Sequence, residues 1–174
     1  MVQAWWTSTN KNCNSKAELH QKKFMLSIWW NYKGVVYFEL LPNNRTIKSD
    51  VYCQQLVKLE EAIKEKRPEL ANCRGIVFHH DNVRPHTSLE TRTKLVELGW
   101  KVMSHPPYSP GRAHLFRSLQ NFLNGKNVSN NDDLKSHLAE FVAVKVQKFY
   151  QRGIIKLPER WLKVIEQKGR YLND

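Results

Sequence analysis

Between Leu98 and Asn131 there is not one aspartate or glutamate, although the chain carries 16 acids in all. Metal-dependent catalysis at phosphate needs several oxygen ligands, and this long stretch can supply no carboxylate to it. Cysteine is scarce as well. Cys13, Cys53 and Cys73 are odd in number and form no Cys-x-x-Cys pair. That argues for reduced thiols in an intracellular protein, against a zinc site or a disulfide framework. No apolar run reaches membrane-spanning length, and the first residues lack a signal-peptide hydrophobic region. The sequence holds no Gly-rich phosphate loop, no Gly-x-Ser-x-Gly elbow and no His-Glu-x-x-His pair. It has no internal repeat, no low-complexity tract and no long block of like charge.

What is present bounds the class. A chain of 174 residues with 41% hydrophobic content and six tryptophans is expected to fold as one domain around a sizeable core. Lysine and arginine number 28 against those 16 acids, a formal net charge of +12. An excess of that size favours polyanionic partners, nucleic acid first. Lys22, Lys23, Arg84, Arg112, Arg117 and Lys126 are the candidate phosphate contacts, with a solvated surface as the alternative reading.

The periodicities place the elements. Residues 1–20 read as irregular apart from a strand fragment at Ala4-Trp5-Trp6. Lys23 to Trp30 and Val35 to Leu41 read as a hairpin turning at Asn31-Tyr32-Lys33-Gly34. Ser49 is positioned to cap a helix whose apolar face is Tyr52, Leu56, Leu59 and Ile63, limited by Pro68. Gly75 to Asp81 reads as a strand. Thr87-Ser88-Leu89-Glu90 fits a capping box before Leu89, Leu95, Val96 and Leu98, with Gly99 as C-cap. Trp100 to Ser104 reads as a short strand and His105 to Gly111 as a rigid loop. Leu115, Phe116, Leu119, Phe122 and Leu123 form a helical face. Asn131 or Asp132 can cap a longer helix ending near Gly153, and Pro158 suits the first turn of a last one. A sheet-rich part over 21–110 is thus followed by a helical part over 111–174, a mixed α/β layer architecture.

Asp81 is the candidate metal ligand and catalytic residue, because a buried strand delivers it into the polar turn Asn82-Val83-Arg84-Pro85-His86. The competing reading is a turn residue bonding its own backbone. Strand alternation puts His79 on the face of Asp81 and His80 opposite. Asn82 and Arg84 either approach phosphate or order the turn. His86 reads as a helix-start residue. His114 is a poor magnesium ligand. Trp5, Trp6, Trp29, Trp30, Trp100 and Trp161 lie in apolar patterns and read as core.

Several of these segments point to one family. His80-Asp81-Asn82-Val83-Arg84-Pro85-His86 resembles the HDNARPH segment around the second catalytic aspartate of mariner-type DNA transposases. Leu98-Gly99-Trp100, His105-Pro106-Pro107-Tyr108-Ser109-Pro110, His114-Leu115-Phe116-Arg117-Ser118-Leu119 and Lys156-Leu157-Pro158-Glu159-Arg160-Trp161 resemble it too, in the right order, as does the tail from Gly169 to Leu172. The resemblance implies a catalytic domain of RNase H-like fold, nuclear work on DNA, a homodimer, and two Mg2+ (or Mn2+) ions held by three carboxylates. It makes Asp81 the second carboxylate. The first lies in the family on a central strand upstream of the segment that Trp5 and Trp6 resemble, so an RNase H-like mixed sheet without that first strand is expected. The third belongs to a stretch reading YSPDLAPSDYHLF. Here Tyr108-Ser109-Pro110 is followed by Gly111-Arg112-Ala113 and then His114-Leu115-Phe116, so seven family residues become three. The family places thirty-four residues between its last two acids, and thirty-five on from Asp81 stands Phe116. Some domains of this family are fused to a histone methyltransferase SET domain, which these residues do not contain. The expectation is a degraded catalytic domain, inactive in DNA cleavage and strand transfer, that keeps nonspecific DNA binding. The alternatives are an active magnesium-dependent transposase or endonuclease whose missing acids come from elsewhere, and a domesticated protein-interaction module.

Overall fold

The computed structural model describes residues 1–9, 23–42, 46–72, 75–103, 113–128 and 130–166. Strands β1 (Val2–Thr9), β2 (Lys23–Asn31) and β3 (Gly34–Leu41) form an antiparallel sheet in the order β1-β2-β3. Helices α1 (Ser49–Lys66) and α2 (Pro68–Ala71) follow. Then come β4 (Val77–Phe78), α3 (Arg84–Thr87), α4 (Leu89–Glu97) and β5 (Lys101–Val102). Helices α5 (Ala113–Leu123), α6 (Asn131–Val144) and α7 (Gln147–Glu166) complete the chain. β4 and β5 pair in parallel.

Met1 joins the two sheets. Its amine donates to Val77 O at 2.6 Å, and its carbonyl accepts from His79 N at 2.8 Å. β1 is longer than the three-residue fragment expected in an irregular start, because its whole length pairs with β2, from Val2 opposite Trp30 to Thr9 opposite Lys23. Among the described residues no other strand stands between β1 and β4.

Two cores sit on opposite faces of this layer. Leu26, Ile28 and Trp30 of β2 pack with α5, α6 and α7 through Leu119, Leu134, Leu138, Phe141 and Tyr150. Trp29 and Val36 face the other way, onto Tyr52, Leu56, Leu59 and Ile63 of α1 and onto Phe78, Leu95 and Trp100. The alternation of β2 and the four-residue repeat of α1 therefore position helices on both sides of the sheet. At the hairpin, Gly34 has a φ of 140°, a conformation that favours glycine.

Several boundaries differ from the sequence reading, each for a local reason. Ser49 is already helical and Lys48 precedes it without a side-chain cap bond. Ser88, not Thr87, caps α4, accepting from Thr91 N at 3.2 Å. Leu89 and Val96 lie on the exposed side of that helix, whose buried positions are Thr91 and Leu95. Asn130 caps α6, accepting from Asp132 N and Asp133 N, both at 2.8 Å. The helix expected to reach Gly153 ends at Val144 and a new one starts at Gln147. α7 then runs through both Gly153 and Pro158. Proline removes one backbone donor there, and the buried face of Tyr150 and Leu157 holds the helix in place. The loop expected over His105 to Gly111 lies outside the described residues.

Candidate functional site

Asp81 leaves the end of β4 into the turn before α3 and is buried. Val83 N donates to its Oδ1 at 3.4 Å, the local bond expected of a turn aspartate. Its main partner is His86, whose Nδ1 lies 2.6 Å from Oδ1 and 3.3 Å from the Asp81 carbonyl. Two acceptors at one nitrogen place the proton on Nδ1. Burial pushes His86 down to about 3, so the ring is neutral at physiological pH and donates as a neutral imidazole.

The ring of His86 is stacked on His80, with centroids 5.1 Å apart and planes 6° apart, and tilted against Tyr52 at 4.1 Å. Tyr52, from α1, shares a 3.1 Å hydrogen bond with His80 Nδ1, and burial holds its phenol far above the usual range. Phe78 meets the edge of His80. His80 thus faces α1, while His79 lines a cavity of about 270 Å³ with Met1, Asn31, Tyr32, Ile154 and Leu157. Alternation separates the two histidines as expected. Asp81 departs from it, since its partner His86 belongs to the group around His80. Sequence reasoning passed over Tyr52 as a core residue and His86 as a helix start. The signal for their meeting is only that each carries a polar atom on an otherwise apolar face.

The region expected to carry a third carboxylate is occupied differently. Phe116, thirty-five residues on from Asp81, is buried in the core between α5 and its neighbours. His114 packs against α7, its Nε2 3.2 Å from Phe149 O and its ring 4.4 Å from that of Phe149. Among the described residues no three His, Cys, Asp or Glu side chains stand close enough to hold a metal ion. The described side chains therefore do not fit a pair of divalent ions, which needs several oxygen donors around both.

The basic candidates are dispersed. Arg84 is exposed at the start of α3, and Arg117 is exposed on α5. Lys126 is engaged within the fold, 2.5 Å from Glu140 and 3.8 Å above the Phe122 ring. Lys23 opens β2, and its side chain, with Lys22 and Arg112, lies outside the described residues. Of the tryptophans, Trp29, Trp30 and Trp100 are buried as expected. The side chains of Trp5, Trp6 and Trp161 are not among those described. No helix among the described residues is long and apolar enough to cross a membrane.

Comparison with known proteins places this architecture. A family profile described as Transposase (partial DDE domain) matches residues 1–73. The solved catalytic domain of Mos1 transposase, determined with raltegravir and Mg, superposes with a TM-score of 0.86 at 36% identity, covering 99% of this chain and 84% of that one. The chain belongs to the mariner-type transposases. Its fold is RNase H-like. The mariner Mos1 transposase of Drosophila mauritiana is 41% identical over 156 residues, covering 87% of this chain and 45% of that protein. The human histone-lysine N-methyltransferase SETMAR is 38% identical over 162 residues, covering 91% of this chain and 24% of that protein. A Mos1 paired-end complex with the left transposon end superposes with a TM-score of 0.83 at 34% identity, over 97% of this chain and 54% of that one. The chain thus spans less than half the length of the curated mariner relatives it matches.

Proposed function

We propose that this chain is a mariner catalytic domain that no longer cuts or joins DNA and works in the nucleus as a basic, sequence-nonspecific DNA-binding module. The observation that carries the reading is internal to the chain. The stretch that resembles YSPDLAPSDYHLF has shrunk to Tyr108-Ser109-Pro110-Gly111-Arg112-Ala113-His114-Leu115-Phe116, and no acid stands anywhere from Leu98 to Asn131. α5 begins at Ala113 and buries Phe116, the residue at the family's spacing for the third acid, in the core. A carboxylate lost from inside the domain is not replaced by anything preceding it. Of the family's three carboxylates, Asp81 is the one whose motif this sequence retains.

DNA affinity is supported by the +12 charge and by the exposed Arg84 and Arg117, and the paired-end complex of the related transposase supports both DNA and a second copy of the chain as partners. The test is an electrophoretic shift series on a random-sequence duplex. Affinity is expected to fall by orders of magnitude between 50 and 200 mM salt, as when several phosphates are neutralised, and to be alike for unrelated sequences. A flat salt response would contradict it, as would loss of binding at low salt.

A further inference from the structure

The tip of the β2–β3 hairpin is enclosed by two other elements. Asn31 Oδ1 accepts from Lys33 N at 2.9 Å and from Gly34 N at 3.2 Å. A Cβ built on Gly34 would lie 3.7 Å from Cε2 of Tyr150 on α7 and 4.0 Å from Nη2 of Arg67, the residue between α1 and α2. Three side chains therefore surround one glycine. Each also carries a buried polar atom with no hydrogen-bond partner: Asn31 Nδ2, Arg67 Nε and Tyr150 Oη. Asn31 and Tyr150 are only 5% and 2% exposed. Buried polar atoms in native folds are almost always paired, so three orphans around one residue call for a common partner.

The chemistry of the three atoms says what that partner is. An amide NH2, a guanidinium N–H and a phenolic O–H are all donors. Burial pushes Tyr150 up to about 12, which keeps its proton in place. Arg67 adds a full positive charge, and Glu69 beside it is engaged by Lys33 at 2.7 Å.

We propose that the Asn31–Arg67–Tyr150 corner is a binding site for a monatomic halide ion, chloride above all. A halide accepts from all three donors and offsets the guanidinium charge. A water accepts from two at most and carries no charge to add to what Glu69 already sets against Arg67. The depth of the orphan atoms favours a single-atom anion over phosphate or sulfate. Bound there, the ion adds a link between the hairpin, the α1–α2 corner and α7, beside the Lys33–Glu69 pair and the Lys66 bond to Val36 O that already join hairpin and corner.

The experiment is thermal unfolding of the 174-residue chain in sodium chloride and in sodium gluconate at equal ionic strength. Both salts screen the +12 charge alike, and gluconate is too large to enter. The wild-type chain is expected to melt about 3 °C higher in chloride, as for a ligand that binds only the folded state. That increment should vanish in Tyr150→Phe, which removes one donor. It should vanish in Asn31→Asp, whose carboxylate keeps the hairpin bonds and supplies the acceptor from within the chain. Equal melting temperatures for the wild type in the two salts would overturn the proposal and leave a water in the corner. An increment that persists in either variant would overturn it as a general ion effect.

Discussion

His86 Nδ1 lies 2.6 Å from Asp81 Oδ1, and the two side chains are only 2% and 7% exposed. The carboxylate that the family resemblance assigns to metal is thus held by an imidazole from five residues along its own chain. The ring in turn is stacked on His80 and packed against Tyr52. This makes Asp81 part of the structural support of the turn between β4 and α3.

Asp81→Ala is expected to destabilise the fold. Removing the carboxylate leaves the buried imidazole donor with only the longer 3.3 Å contact to the Asp81 carbonyl, a loss of about 1–3 kcal/mol. Asp81→Asn should cost less, because an amide oxygen still accepts. Urea denaturation at neutral pH measures both, and an Asp81→Ala midpoint equal to that of the wild type would refute the structural role.

Acid should weaken the fold through His86. Burial lowers it from 6.5 to about 3. Above pH 6.5 the ring is neutral in both folded and unfolded chains and makes no difference. Between pH 6.5 and 3 the unfolded chain takes up a proton that the folded chain refuses, so stability falls with a slope approaching about 1.4 kcal/mol per pH unit. His86→Asn, although less stable at pH 7, should show a shallower decline between pH 7 and 4. Parallel declines for the two proteins would contradict the assignment.

The layer architecture was legible because its signals are periodic. Leu26, Ile28 and Trp30 alternate with Trp29, and Tyr52, Leu56, Leu59 and Ile63 recur at helical spacing, which fixes the buried face of each element. Helix ends were less legible, since Lys48, Ser88 and Asn130 are set by backbone geometry that neighbouring polar residues imitate. Pro158 reads as a start, yet α7 continues through it because Tyr150 and Leu157 anchor its face on both sides. Within the site, Asp81 could be found from its strand and motif. Its partner could not, because the turn that carries His86 back onto Asp81 has no period to read.

Phe116→Asp should not restore a metal site. Phe116 is core, and replacing it removes an aromatic contact worth about 3–5 kcal/mol and buries a charge in its place. The expected result is a largely unfolded or strongly destabilised chain by circular dichroism. A folded Phe116→Asp chain that binds manganese would contradict the core role of Phe116.

The basic residues should separate in DNA binding by their exposure, Arg84 and Arg117 being exposed and Lys126 half-buried. Arg84→Ala and Arg117→Ala are each expected to weaken binding to any duplex and to reduce the salt slope by about 1. Lys126→Ala should leave affinity nearly unchanged and instead lower the melting temperature, through loss of the Glu140 pair and the Phe122 contact. The reverse pattern would relocate the interface.

The most direct test is incubation of the chain with supercoiled plasmid in Mg2+ or Mn2+, followed by gel analysis of the plasmid forms. The account predicts that the plasmid stays supercoiled at every protein concentration that binds it. Nicked or linear product that disappears in a folded Asp81→Asn chain would contradict it.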